Sequence, residues 1–256
     1  MGIQFTPIDQ YQSFSFSAPL ASGRLVTHDV YTRGEGPPVV LIQELPGIGK
    51  ETLRLADRLV GEGFKIVMPH LFGPLERTDM VGNLIRVFCM RKEFSIFRSR
   101  QSSPIVDWLR ALCRKVKEND KTKGVGVIGM CLTGNFAISL IGDDSVLASV
   151  ASQPALPIFK QNALHMSAQE VEATKKNIDN TAPMLAFRFE KDPAVTGEKF
   201  SCLHDTFNGA NIDRIRLKTL PGKGHSVLTI DFVDKEGHPT YEALQEVIQY
   251  FSHQLK

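Results

Sequence analysis

The chain has 256 residues, 42% of them hydrophobic and 23% charged, with a formal net charge of +2. That balance fits one globular α/β domain with a full apolar core and gives no electrostatic ground for nucleic-acid binding. The start, MGIQFTPIDQ, lacks the basic-then-apolar layout of a secretory signal. No apolar run reaches the roughly 18 residues that cross a bilayer, so no membrane role is expected. The four cysteines, at 89, 113, 131 and 202, have neither disulfide-scaffold density nor a CxxC zinc spacing. A reducing cytoplasm is the expected setting, and there a single Cys can be chemical rather than structural.

Residues 1–21 read as an N-terminal extension, and His28 falls in the first expected strand. A short apolar run at 39–42, behind Gly36-Pro37-Pro38, predicts a buried strand. Leu53, Ala56, Leu59 and Val60 recur at helical spacing over 51–62, and Gly63 ends that helix. A strand follows at 64–68, then helices at 80–90 and 104–116. The Lys-rich stretch 115–123 is mixed with Glu118 and Asp120 and reads as a solvated loop. Further strands are expected at 124–128, 146–150, 184–189 and 212–217, with helices at 135–141, 199–207 and 241–251. A polar excursion covers 159–180 and could serve as a lid. Apolar strands alternating with amphipathic helices predict a single α/β domain over 1–256, with a mostly parallel sheet covered on both faces. In such sheets ligands sit at the carboxyl ends of the strands, so chemistry is sought there.

The strongest local pattern is Gly129-Met130-Cys131-Leu132-Thr133-Gly134, between an expected strand and an expected helix. It matches a nucleophile elbow with Cys in place of Ser. The tight turn demands small neighbours, which Gly129 and Gly134 supply and Thr133 supplies less well. The helix start would favour the thiolate. The plainer reading is a small buried Cys at a close packing point.

A Cys nucleophile needs a base and a group to orient it. His225 lies in Gly222-Lys223-Gly224-His225-Ser226, beyond a strand end, with His70 as runner-up. Asp192 follows the strand at 184–189, with Glu190 as fallback. Asp192 lies 61 residues after Cys131, and His225 lies 33 after Asp192. The order nucleophile, acid, His is that of the α/β-hydrolases. In Gln43-Glu44-Leu45-Pro46-Gly47 a charged Glu44 ends an apolar run. There Leu45 would supply one oxyanion-hole N–H and Leu132 the other, with Glu44 near the thiol. The plainer alternative makes Glu44 an exposed cap of the next helix.

Together these motifs resemble the dienelactone hydrolase family, over about 23–251. The matching pieces are Gln43-Glu44, Pro46-Gly47, Gly63-Phe64 through Pro69, Gly129-Met130-Cys131-Leu132, Asp192 and Gly224-His225-Ser226. The resemblance implies an α/β-hydrolase fold and a Cys131–His225–Asp192 hydrolase acting on a small ester or lactone through a thioacyl-enzyme. It implies that Glu44 contacts the thiol and can take its proton. It implies no metal and no organic cofactor, and a monomer or small homo-oligomer. The family's type enzyme holds a substrate carboxylate with two arginines, one of them four residues after the catalytic His, where this chain has Thr229. Arg91 is the counterpart of the other, with Arg86 and Arg98 as alternatives. Leu132-Thr133-Gly134 also stands where the type enzyme has Gly-Gly. A binding protein without catalysis and a redox-active Cys131 are the competing readings.

Overall fold

The structure, a computed structural model, describes residues 5–89 and 100–256. Among them, eight strands build one sheet: β1 (Gln12–Pro19), β2 (Leu25–Arg33), β3 (Pro38–Ile42), β4 (Lys65–Pro69), β5 (Val125–Met130), β6 (Val146–Ser152), β7 (Met184–Phe189) and β8 (Ile215–Leu220). Their order across the sheet is β1-β2-β4-β3-β5-β6-β7-β8. The pairings of β1 with β2 and of β2 with β4 are antiparallel, and all others are parallel.

The helices are α1 (Lys50–Gly61), α2 (Met80–Cys89), α3 (Ile105–Asp120), α4 (Gly134–Leu140), α5 (Ala168–Asn180), α6 (Gly197–Phe207) and α7 (Pro239–Leu255). The central strands are buried along their whole length, as sheets covered on both faces require. The pleat divides each strand between two cores. Val40 and Ile42 of β3 join Trp108, Leu109, Phe136, Leu203 and Phe207 on the face of α3, α4 and α6. Val39 and Leu41 join Leu53, Leu59, Val247 and Phe251 on the face of α1 and α7. No helix among the described residues is long and apolar enough to cross a membrane.

The structure departs from the sequence reading in four places. The stretch read as an extension contains β1, whose Phe16 ring meets Trp108 edge-on at 5.3 Å. The stretch read as a solvated loop is helical as far as Asp120, which receives Lys65 Nζ at 2.7 Å; Lys121, at φ +52°, ends the helix. The excursion at 159–180 holds α5, opened by a capping box between Ser167 and Glu170. Only Thr174 and Ile178 of α5 are buried, so its apolar stripe is faint. The strand expected at 212–217 lies at Ile215–Leu220, because an Asn208 side chain and the Gly209–Ile212 bridge hold the preceding turn.

Five parallel strands, side by side, end on the same edge of the sheet. Glu44 follows β3, Cys131 follows β5, Gln153 follows β6, Asp192 follows β7 and His225 follows β8.

Candidate active site

Cys131 stands at the turn from β5 into α4, at φ +57°. Such a backbone costs a non-glycine residue on the order of 1–3 kcal/mol and persists only where the surroundings impose it. A Cβ on Gly129 would lie 2.1 Å from the Thr133 carbonyl oxygen, and one on Gly134 would lie 2.9 Å from that of Ser152. Both glycines are therefore required by close approach. Thr133, the residue that fitted the motif least well, turns out to be a strap. Its buried hydroxyl accepts the Met130 N–H at 2.9 Å and donates to the Met130 carbonyl at 2.9 Å. The Cys131 carbonyl accepts the Ala155 N–H at 3.0 Å, which ties the elbow to the segment after β6. Leu132 lies in the first turn after the elbow, where a helical N–H has no intrahelical acceptor.

His225 faces Asp192. The His225 Nδ1 is 2.9 Å from Asp192 Oδ2 and 3.1 Å from Oδ1. Asp192 Oδ1 also accepts the N–H groups of Ala194 at 2.8 Å and Val195 at 3.1 Å. Under this loop the buried Arg188 donates Nη1 to the carbonyls of Phe189 at 2.8 Å and Glu190 at 3.1 Å. Burial lowers the proton affinity of His225, but hydrogen bonding to Asp192 and to Cys131 outweighs it, and the imidazole is pushed up to about 10. Glu190, the fallback acid, is not the partner of the ring. His70 bonds the Gly73 carbonyl at 2.7 Å, after β4 on the far side of β3.

Glu44 is 1% exposed, which removes the reading of an exposed helix cap. Its carboxylate accepts hydrogen bonds from Ser226 Oγ at 2.8 Å and from the Thr229 hydroxyl, with Gln153 Nε2 at 3.5 Å. Burial raises its proton affinity, and the Thr229 and Ser226 hydroxyls oppose that. Ser226, Gln153 and this function of Thr229 escaped the sequence reading. Thr229 stood out only as a missing arginine. Gln153 was hidden because β6 runs two residues past the strand end expected from the pattern, to Ser152.

Leu45 is half-buried and packs against the α3 face, beside the turn in which Gly47 N–H bonds the Glu44 carbonyl at 2.9 Å. Arg91 and Arg98 lie outside the described residues. Arg86 gives its guanidinium to Asp79 at 2.7 Å and Asn83 at 2.7 Å, a surface pair that holds the Asp79 carboxyl below its ordinary range. Cys113 and Cys202 are unpaired thiols like Cys131, and burial pushes both upward in pKa, away from the reactive thiolate. No group of three His, Cys, Asp or Glu among the described residues could hold a metal ion.

A mostly parallel eight-stranded sheet, helices on both faces and a left-handed residue at the strand–helix elbow define an α/β-hydrolase. The sequence profile of the dienelactone hydrolase family matches residues 23–255, and the chain belongs to that family of carboxylic ester hydrolases. No curated protein matches the chain. Solved structures do. A dienelactone hydrolase-like promiscuous phosphotriesterase from metagenomic libraries has a TM-score of 0.64 at 17% identity, covering 95% of this chain and 99% of its own. A Pyrococcus furiosus esterase has a TM-score of 0.62 at 13% identity, covering 99% and 97%. A cold-adapted esterase from an Arctic intertidal metagenomic library has a TM-score of 0.61 at 16% identity, covering 99% and 100%. These likenesses concern the fold.

Proposed function

We propose that the protein cleaves a small carboxylic ester or lactone through a Cys131–His225–Asp192 triad. What carries the reading is the His225 ring, bonded to Asp192 at 2.9 Å, with its proton affinity raised by Asp192 and by Cys131. With its proton affinity raised, His225 takes the Cys131 proton, and the thiolate so formed is paired with an imidazolium. The sulfur attacks the substrate carbonyl, and the oxyanion is received by the N–H groups of Leu132 and Leu45. Each such donor is worth on the order of 10²–10³ in rate. The C–O bond then breaks, and His225 hands its proton to the departing alkoxide, leaving a thioacyl-enzyme and a neutral imidazole. Water attacks the thioester, His225 takes the water proton, and the acid leaves as the thiolate returns. Asp192 holds the ring's Nδ1 proton throughout. Glu44, buried and with raised proton affinity, is the second group able to take the thiol proton. A free thiol nucleophile suits a reducing compartment, and on that ground we assign the protein to the cytoplasm.

The test is hydrolysis of p-nitrophenyl acetate by wild type and Cys131→Ala, on matched amounts of folded protein. Turnover by wild type with only background release by Cys131→Ala is the expected result. Equal rates for the two would remove the nucleophile assignment. A p-nitrophenyl phosphotriester belongs in the same assay, because one structural relative is described as a promiscuous phosphotriesterase.

A further inference from the structure

The loop that carries His225 has no regular structure of its own. It leaves β8 at Leu220 and passes two glycines in the left-handed half of φ space, Gly222 at +103° and Gly224 at +155°. A ring on such a loop wanders unless something fixes its backbone. Asp231 Oδ2 accepts the His225 N–H at 2.7 Å and the Ser226 N–H at 2.9 Å. The Asp231 N–H returns to the Ser226 carbonyl at 3.0 Å, which closes the turn. Two successive N–H groups converging on one carboxylate oxygen form an anion-holding nest whose anion is part of the chain itself. A Cβ on Gly224 would sit 3.1 Å from the Asp231 carboxylate and 3.1 Å from the Phe189 ring. The glycine is what admits Asp231 to the nest.

We propose that Asp231 is a positioning residue for the reaction, setting the His225 ring between Asp192 and Cys131 and the Ser226 hydroxyl on Glu44 through one carboxylate oxygen. The two N–H groups it holds belong to the two residues whose side chains meet the site's two carboxylates. Its charge is also felt at Glu44, whose proton affinity it raises. Removing the anchor therefore displaces the base and loosens the Glu44 contacts together. Displacements of about 1 Å at a reacting group cost on the order of 10²-fold, and lost outer partners of functional groups cost about 10–100-fold.

This inference rests on the hydrolase reading, so its test includes a readout that needs no substrate. Asp231→Ala and Asp231→Asn are compared with wild type in p-nitrophenyl acetate hydrolysis. Iodoacetamide alkylation of Cys131 and the downfield proton resonance of His225 Nδ1–H are followed in parallel. Asp231→Ala is expected to lower kcat about 10–100-fold with KM changed less than about twofold, to slow alkylation, and to shift or broaden the His225 resonance. Asp231→Asn, whose amide oxygen can accept the same two N–H groups, is expected to recover most of that loss. Unchanged kcat, alkylation and resonance in Asp231→Ala would overturn the proposal, and so would an Asn variant as impaired as the Ala variant. If wild type hydrolyses no ester, the hydrolase reading falls alone, and alkylation and the resonance still decide the role of Asp231. Should Asp231→Ala not fold, Asp231→Glu takes its place, since one added methylene misplaces the acceptor while keeping the charge.

Discussion

Glu44 and Asp192 are both buried carboxylates at the tips of parallel strands, yet their surroundings differ in kind. Asp192 accepts two backbone N–H groups and faces an imidazole with raised proton affinity. Its partners belong to a fixed backbone and a cation. Glu44 meets two hydroxyls and, at 3.5 Å, one amide, and these together with the charge of the nearby His225 do not offset its burial. In the second arrangement burial wins, and the proton affinity of Glu44 is raised. On the proposed mechanism, the acid that orients the base is thus held differently from the acid able to exchange a proton with the thiol.

The sharpest way to break this comparison is Asp192→Asn. An amide in that position presents the wrong hydrogen-bonding group to the ring. Ester hydrolysis should fall on the order of 10³–10⁴-fold, as kcat, while the thermal transition moves little. Thr229→Val keeps the shape and removes one hydroxyl from a buried carboxylate. It should cost about 1–3 kcal/mol of stability at pH 8, read from thermal or denaturant unfolding, and less at pH 4.5.

Glu44→Gln sharpens the contrast through pH. Burial raises the folded pKa of Glu44 above its ordinary 4.5. Its contribution to stability is therefore full below 4.5 and is lost as pH rises through the folded value. The Tm of Glu44→Gln relative to wild type should climb from pH 4.5 to pH 8. A flat difference would mean that the carboxylate is fully compensated. The smallest effect is expected at Gln153, which sits at φ +40°. Gln153→Gly relieves a conformation that costs on the order of 1 kcal/mol but forfeits the long contact with Glu44, so stability should change by less than about 1 kcal/mol.

The strand tips were legible because 39–42, 125–128 and 184–189 are short apolar runs, each bounded by a turn former or a charge. That was enough to bring Cys131, Asp192, His225 and Glu44 to one edge. β1 was not legible, because QSFSFSAP alternates Ser and Phe on an edge strand, and most of it stays exposed. α5 was not legible, because it buries only two side chains. The partners of Glu44 could not be read from spacing at all. Ser226 and Thr229 lie 182 and 185 residues from it, and their hydroxyls meet it only through the packing of β3 against the loop after β8. Thr133 was read as a poor fit because its value is a local hydrogen bond rather than small size.

The five strand tips supply Glu44, Cys131, Gln153, Asp192 and His225 in an order that is the same along the chain and across the sheet. A chain made from its N-terminus therefore completes this site one lateral step at a time, and the imidazole arrives last. Until β8 docks on β7, the loop that carries His225 has no place at this edge. On the proposed mechanism, the site is therefore complete only when the sheet has reached its full width.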